Sequence, residues 1–237
     1  MKELLKRIIK KIPIAFTQNQ RYDEQTKKII NRVCGRNSNC IDIGCHVGEV
    51  LDIIRLNAPN GQHFAFEPLP HLFKNLKEKY KHTTCIISDI ALSNTTGITT
   101  FNYVISNPAY SGLKKRKYDR PDERDTTIEV KTEKLDNIIP ENLKIDFIKI
   151  DVEGGEYAVL AGAQSVLKKN KPVVIFEFGA SAWEIYKSTP ANLFDLLTDC
   201  GMKISLMEHF LKNKPAFSLQ EFENQCYSEK NYYFVAY

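Results

Sequence analysis

Hydrophobic and polar positions follow two alternating patterns along most of the chain. Short apolar runs predict buried strands, and apolar positions spaced three and four residues apart predict amphipathic helices. Because the two patterns succeed each other as strand, helix and strand, they predict an α/β fold with a doubly wound, mostly parallel sheet. Lys203 to Met207 and Tyr232 to Tyr237 predict antiparallel edge strands near the C-terminus. The buried strands are predicted at 40–41, 62–66, 85–87, 145–150 and 172–176.

The alternation breaks down between about residues 104 and 125. This stretch has little periodicity, contains Asn107-Pro108 and Ser111-Gly112, and carries the basic run Lys114 to Lys117. A loop of this length inside a compact domain is usually functional or mobile. We therefore expect either a solvated loop or a substrate loop that contacts an acidic ligand.

The first residues predict a separate helical element. Apolar residues line one side of residues 1–12, basic residues lie between them, and Pro13 ends the pattern. Such a basic amphipathic helix can lie on an anionic membrane surface or dock on its own domain. We divide the chain into an N-terminal helical segment, residues 1–37, and one larger domain, residues 38–237.

Composition and charge exclude several classes of protein. Hydrophobic residues make up 43% and charged residues 26% of the 237 positions, which is ordinary for a globular domain. The net charge of +4 is too small and too local for a surface that follows nucleic-acid phosphates. Six cysteines without a C-x-x-C pair, and no secretory signal, predict reduced thiols in a cytoplasmic protein.

A glycine turn with an acid on the next strand predicts a nucleoside site. Gly44 and Gly48 follow the first strand, and Glu67 ends the second. Dinucleotide sites favour G-x-G-x-x-G, whereas the G-x-x-x-G spacing leaves less bare backbone for phosphates and favours S-adenosylmethionine over NAD. The alternative is that both glycines only let the following helix pack on the strand.

Each polar group of S-adenosylmethionine would find a partner in this turn. Asp42 would bind the ammonium, and the amides near Gly44 and Gly48 would bind the carboxylate. Glu67 would accept both ribose hydroxyls. Because Glu67 could bind the ribose of NAD equally well, a nicotinamide-dependent oxidoreductase stays an alternative, although no Tyr-x-x-x-Lys catalytic set is evident.

A second group of acids follows two later strands. Asp151, Glu153 and Glu156 come directly after the buried strand at 145–150, and Glu177 ends the next one. Because the carboxyl ends of parallel strands meet at one edge of a sheet, these acids should face the same crevice as the glycine turn. So many carboxylates around one cleft exceed what fold stability requires, and they predict a catalytic site.

These features resemble the FkbM-type S-adenosylmethionine-dependent methyltransferases over about residues 38 to 180. Many members have Ala-Asn where this chain has Cys45-His46, which leaves the role of His46 open. The motifs that carry the resemblance are Asp42 to Gly48, Phe66-Glu67-Pro68, Ala91 to Asn94 followed by Gly97, Leu135-Asp136, Ile148 to Glu156, and Val159 to Ala163.

The resemblance implies a Rossmann-like class I methyltransferase fold and an O-methyltransferase that uses S-adenosyl-L-methionine. Its acceptor would be a hydroxyl of a sugar, a glycan or a glycan precursor, and a non-catalytic binding module with the same fold is a further alternative. Asp89 would accept from the adenine amine while Ile90 packs on the ring. The predicted cofactor-binding residues are Asp42, Gly44, His46, Gly48, Glu67, Asp89, Ile90, Ala91 and Asp151.

Methylation of a sugar hydroxyl calls for a base, because the hydroxyl is a poor nucleophile until its proton leaves. Glu153 is the first candidate, since crowding among carboxylates raises one pKa toward neutrality. Glu156, His46 and Glu177 follow it. A magnesium ion bridging Asp151 and Glu177 is an alternative way to acidify the hydroxyl, because oxygen ligands suit that metal.

Aromatic residues near the same edge offer a surface for a sugar ring. Tyr110, Ser111 and the lone Trp183 are predicted in loops there and could form that surface. Packing in the core is the alternative for Trp183. Lys149 is expected to pair with a neighbouring acid rather than to act chemically.

Overall fold

The computed structural model describes residues 17–118, 120 and 122–237. The basic amphipathic helix predicted at residues 1–12 lies outside these residues. Within the described ranges, no helix combines the length and apolar character needed to cross a bilayer.

Strands and helices alternate in the predicted order. In chain order the strands are β1 (Cys40–Ile43), β2 (His63–Phe66), β3 (Cys85–Ser88), β4 (Ile90–Leu92), β5 (Gly97–Val104), β6 (Asp125–Glu133), β7 (Phe147–Ile150), β8 (Val173–Glu177), β9 (Ile204–Leu206) and β10 (Tyr233–Ala236). The helices are α1 (Gln18–Val33), α2 (Glu49–Asn57), α3 (Pro70–Lys79), α4 (Leu135–Ile138), α5 (Glu156–Ala161), α6 (Gln164–Asn170), α7 (Ala180–Glu184), α8 (Pro190–Asp199), α9 (Met207–Leu211) and α10 (Leu219–Tyr227).

The main sheet has the strand order β3-β2-β1-β7-β8-β10-β9. β1, β2, β3, β7 and β8 run parallel, and β10 is antiparallel to both of its neighbours. This confirms the predicted doubly wound, mostly parallel sheet. The antiparallel strand is C-terminal as predicted, and β9 lies outside it at the edge. Because the strand order reverses between β1 and β7, their carboxyl ends open the crevice where ligands bind in such sheets.

Helix starts follow local sequence signals. Thr17 caps α1 through a capping box with Gln20, and Thr189 caps α8 in the same way with Asn192. In each case the side-chain oxygen accepts a backbone N–H that the first turn would leave unpaired. Pro190 occupies the first turn of α8, as the sequence predicts, because a proline there removes no intrahelical hydrogen bond.

A second, three-stranded sheet has the order β4-β6-β5. β5 and β6 pair antiparallel, from Gly97 opposite Thr132 to Val104 opposite Asp125. The predicted substrate loop is thus the connection between these two strands, and we call residues 105–124 the β5–β6 loop. Asn102 and Gly112 form an isolated antiparallel bridge that folds the start of this loop back onto β5.

Each face of the main sheet buries its own apolar cluster. Ile41 and Ile43 pack on one face, whereas Cys40 and Phe147 pack on the face covered by α1. Toward the carboxyl ends, the α1 face is interrupted by Asp42 and Lys149, which are paired in register and are both buried. Burying charged groups is costly unless they are paired. The apolar core therefore ends at the edge where the acids were predicted to gather.

Candidate active site

A cleft of about 590 Å³ opens at the carboxyl ends of β1, β2 and β7. Its floor is the glycine turn after β1, and its roof comes from the β5–β6 loop. We call it the main cavity. Its lining includes Gly44, His46, Glu67, Leu69, Ile90, Ala91, Phe101, Ser111, Leu113, Asp151 and Glu153.

The two glycines of the turn are required by packing. Gly44 has a φ of 73°, and a Cβ there would lie 1.8 Å from the carbonyl oxygen of Asp151. Gly48 has a φ of 80°, and its Cβ would lie 2.4 Å from the hydroxyl of Tyr80. Both positions are left-handed, where glycine carries no steric penalty. The turn therefore packs closely on its neighbours, and Gly44 still reaches the cavity wall.

Glu67 ties the glycine turn to the end of β2. Its exposed fraction is 5%, and its two carboxylate oxygens accept the backbone N–H groups of His46 at 2.9 Å and Leu69 at 3.0 Å. Burial raises the pKa of Glu67 to about 7, against those two hydrogen bonds. Each oxygen keeps a second lone-pair position that can accept a ligand hydroxyl. Glu67 therefore suits a ribose diol in the main cavity.

A second cavity of about 890 Å³ lies on the α1 side of the same strand ends. It meets the main cavity at Gly44, His46 and Asp151, which line both. Asp42 also lines it, and one buried carboxylate oxygen of Asp42 has no hydrogen-bond partner. Burial raises the pKa of Asp42 to about 7. An orphaned buried oxygen is costly, so Asp42 suits a ligand ammonium that would pair with it.

Asp151 follows β7 directly and is held by Lys149 of β7 and by Tyr233 of β10. Its Oδ2 accepts from the Lys149 ammonium at 3.0 Å and from the Tyr233 hydroxyl at 2.5 Å. Desolvation opposes ionisation, but Lys149 and Tyr233 hold the pKa of Asp151 below its ordinary value. Desolvation and the neighbouring Asp151 raise the pKa of Glu177 well above its ordinary value. These opposite shifts favour a protonated Glu177 beside an ionised Asp151, and Lys149 pairs with an acid as predicted.

The predicted bases separate into two pairs. Glu153 and His46 line the main cavity, whereas Glu156 and Glu177 line neither cavity. Glu156 is completely buried, and its Oε1 accepts the backbone N–H groups of Val152 at 3.0 Å and Gly154 at 3.1 Å. Burial raises its pKa to about 7. The structure thus gives Glu156 the task of shaping the turn after β7, away from any acceptor.

Glu153 occupies an unusual backbone conformation in the cavity wall. Its φ of 61° is left-handed, which is uncommon for a residue with a side chain and occurs often at functional sites. Its carboxylate forms an ion pair with Arg116 of the β5–β6 loop. The loop predicted from the break in periodicity therefore contacts the first-ranked candidate base.

His46 is a neutral group between the two cavities. It has a φ of 49° and is half-buried. Desolvation lowers the pKa of His46 below its ordinary value of 6.5, although nearby acids oppose that shift. The imidazole is therefore uncharged at neutral pH and can accept a proton.

The magnesium site predicted at Asp151 and Glu177 does not fit these surroundings. Among the described residues, oxygens of Asp151, Glu153 and Glu177 lie within 4.8 Å of one another. The Lys149 ammonium and the Arg116 guanidinium already pair with two of these carboxylates. A magnesium ion prefers anionic oxygens in octahedral geometry and would have to compete with both of these cations. We derive no step through a metal.

Of the three residues predicted to bind adenine, two line the wall of the main cavity and one lies on the surface. Ile90 and Ala91 line the main cavity together with Leu69 and Phe101, which makes an apolar slot beside Glu67. Asp89 is exposed and lines neither cavity, because β4 begins at the next residue and turns the chain into the second sheet. The slot suits an adenine ring, and Asp89 stands outside it.

The predicted aromatic platform does not form around Trp183. This side chain packs on Phe178 and Tyr227, so its alternative interpretation, core packing, is the one observed. Ser111 lines the main cavity, but its hydroxyl accepts the backbone N–H of Val104. Tyr110 stacks with Tyr118 in the β5–β6 loop.

The sequence did not identify three side chains that contribute to the site. These are Tyr233, Tyr186 and, as the partner of Glu153, Arg116. Tyr233 reaches Asp151 because β10 pairs with β8 and sets Tyr233 beside Glu177. No local pattern links residues so far apart in the chain. Arg116 lies in the basic run Lys114 to Lys117. The sequence therefore indicated its charge but could not indicate that Glu153 is its partner.

Comparison with known proteins points to one family. Residues 42–204 match the family described as the methyltransferase FkbM domain. No curated protein gives a significant match to the sequence.

Solved structures give the fold. A methyltransferase FkbM from Methylobacillus flagellatus superposes with a TM-score of 0.52 at 14% identity, covering 89% of this chain and 50% of that one. A precorrin-6y C5,15-methyltransferase from Geobacter metallireducens has a TM-score of 0.43 at 14% identity and covers 82% and 76%. The fibrillarin pre-rRNA processing protein from Methanococcus jannaschii has a TM-score of 0.44 at 15% identity and covers 85% and 66%. The chain thus spans half the length of the FkbM methyltransferase it matches.

Proposed function

Since this chain belongs to the FkbM family of S-adenosylmethionine-dependent methyltransferases, we propose that it methylates a hydroxyl oxygen of a sugar, a glycan or a glycan precursor. The observation that carries the proposal is the junction of the two cavities at Gly44, His46 and Asp151, with Glu153 in the adjoining wall. An acceptor in the main cavity would lie next to the Glu153 carboxylate, which is ion-paired with Arg116.

The residues fit the cofactor without a phosphate-binding surface. Glu67 offers two acceptor oxygens for the ribose diol, and the unpartnered oxygen of Asp42 offers a partner for the ammonium. Ile90 and Ala91 offer an apolar slot for the adenine ring. When bound there, the cofactor supplies a methyl group that its sulfonium has already activated. The protein's own residues then need to orient the acceptor and remove its proton.

Orientation and proton removal account for most of the expected rate. Fixing the acceptor oxygen in line can contribute on the order of 7 to 11 kcal/mol, because it replaces a bimolecular encounter. A base within hydrogen-bond reach adds roughly 10²- to 10⁴-fold. We assign the base to Glu153, which lines the main cavity, and keep His46 as the other candidate. Both side chains line the same wall, so neither needs a large movement to reach an acceptor.

Affinity for S-adenosylhomocysteine will rise as the pH is raised through about 7. The pKa values of Glu67 and Asp42 are both raised to about 7 by burial, so both carboxyls lose their charge below that pH rather than near their ordinary values. Each protonation weakens a contact to a ribose hydroxyl or to the ammonium. The loss should approach about tenfold per pH unit for each group that must ionise.

Isothermal titration between about pH 5.5 and 8.5 measures this dependence directly. Glu67→Gln is the control, because its side chain cannot ionise and the slope should become shallower. An affinity that does not change across this range would show that neither carboxylate binds the ligand in its charged form.

A transfer assay tests the proposed acceptor class. Purified protein and methyl-labelled S-adenosylmethionine are incubated with a panel of sugars, nucleotide sugars and glycans, and with peptides, with and without a metal chelator. We expect label on a sugar hydroxyl, unaffected by the chelator. Label on a peptide alone would overturn the sugar acceptor, and loss of label with the chelator would restore a metal. A parallel titration that finds binding of NAD and none of S-adenosylhomocysteine would overturn methyl transfer itself.

A further inference from the structure

Tyr186, between α7 and α8, contacts two segments of the active site. Its hydroxyl accepts the backbone N–H of Lys114 at 3.0 Å. The Lys114 ammonium lies 5.2 Å from the centre of the Tyr186 ring and donates to the carbonyl of Ile185 at 3.2 Å. The middle of the β5–β6 loop is therefore fastened to residues 185–186.

The Tyr186 ring also packs against the turn that carries Glu153. A Cβ on Gly154 would lie 2.9 Å from Cε2 of the ring, and one on Gly155 would lie 3.5 Å from Cε1. Gly154 also has a φ of 104°, which side-chain-bearing residues rarely adopt. The paired glycines after Glu153 thus leave room for this ring. The contact gives a structural reason for the Gly154-Gly155 pair, which none of the predicted catalytic roles requires.

We propose that Tyr186 is a positioning residue that fastens the β5–β6 loop against the Glu153 turn and closes the acceptor side of the main cavity. The Arg116–Glu153 ion pair joins the same two segments, and Leu113 lines the cavity directly before the fastened residue. The consequence for catalysis rests on the proposed function, whereas the fastening of the loop does not. Tyr186 acts through Leu113 and Glu153 and touches no reacting atom.

The basic run in the loop supplies a probe that needs no acceptor. Trypsin cleaves after lysine and arginine, and Lys114 to Lys117 offer four such bonds within the fastened segment. Proteolysis of a native protein follows the population of locally opened chains. Burial raises the pKa of Tyr186 to about 12, so its hydroxyl is intact at the pH of the digestion.

Tyr186→Phe removes the hydroxyl and keeps the ring. Loss of the backbone hydrogen bond from Lys114 should speed cleavage within residues 114–117 by about fivefold. Tyr227→Phe, at a tyrosine that is 57% exposed, is the matched control and should leave the rate unchanged. The melting temperature and the affinity for S-adenosylhomocysteine should stay at wild-type values. With an acceptor in hand, KM for the acceptor should rise about tenfold while KM for the cofactor does not change.

Equal cleavage rates in Tyr186→Phe and Tyr227→Phe would overturn the proposal. A lowered melting temperature together with weaker S-adenosylhomocysteine binding would also overturn it, because Tyr186 would then support the whole domain rather than the loop. If the wild-type protein binds no S-adenosylhomocysteine, the proposed function fails, but the digestion rates still decide whether Tyr186 fastens the loop.

Discussion

Replacing Glu67 with alanine will weaken binding of S-adenosylhomocysteine by about 100-fold or more. A hydrogen bond to a charged group contributes about 1.5–3 kcal/mol, and Glu67 has one free acceptor position on each oxygen for the two ribose hydroxyls. The substitution also leaves the backbone N–H groups of His46 and Leu69 without their partner. The loss should therefore combine a missing ligand contact with a looser glycine turn.

Two further variants separate these contributions. Glu67→Gln keeps the size of the side chain and one carbonyl acceptor, so its loss should be smaller than that of alanine. Glu78→Ala, whose side chain is 71% exposed on α3, should bind as the wild type does. Wild-type affinity in Glu67→Ala, measured by titration calorimetry, would show that the ribose is bound elsewhere and would remove the main support for the cofactor site.

Glu153→Gln will lower kcat by about 10²- to 10⁴-fold and leave the affinity for S-adenosylhomocysteine within about twofold. The amide keeps the shape of the side chain but cannot take a proton from the acceptor. None of the contacts proposed for the cofactor involves Glu153, so cofactor binding should not depend on it. Single-turnover rates with a labelled methyl donor measure the chemical step separately from binding.

The partner of Glu153 calls for its own control. Glu153→Gln leaves the Arg116 guanidinium, whose side chain is 16% exposed, without its carboxylate. The double variant Glu153→Gln/Arg116→Gln removes both charges and should be as slow as the single variant. If it recovers the wild-type rate, the unpaired arginine and not the missing base caused the loss.

The pH profile distinguishes Glu153 from His46. With Glu153 as base, kcat should not follow the titration of the His46 imidazole. With His46 as base, kcat should fall as the pH drops through the lowered pKa of that imidazole, below 6.5. His46→Gln with a flat profile and nearly full activity would complete the assignment to Glu153, and a Glu153→Gln variant that retains most of its activity would contradict it.

Local sequence was sufficient to predict the main sheet and the residues that its strand ends bring to the site. Short apolar runs located the buried strands, because a strand covered on both faces is apolar at consecutive positions. The rule that parallel strands present their carboxyl ends at one edge then placed Gly44, Glu67 and Asp151 together. The structure brings these residues to one cavity system, as that rule predicts. None of these inferences needed the position of a distant side chain.

Tertiary structure decided which acid faces a ligand and which supports the turn. Glu153 and Glu156 are three positions apart, yet Glu153 lines the main cavity and pairs with Arg116 whereas Glu156 accepts backbone N–H groups and lines neither cavity. A spacing pattern cannot contain that difference, because it depends on dihedral angles that the whole fold imposes. Asp89 shows the same limit, since it is exposed and lines neither cavity although Ile90 and Ala91 directly after it line the main cavity.

By itself, the sequence determined the fold class, the family, the glycine turn and the strand-end acids, since each depends on residues close together in the chain or on strand order. Only the folded chain decided the partners of those acids. Tyr233 reaches Asp151 from a strand inserted antiparallel beside β8, and Arg116 reaches Glu153 from a loop of the second sheet. Such contacts join segments far apart in sequence, so only the pairing of β10 with β8 and the packing of the second sheet on the first could bring them together.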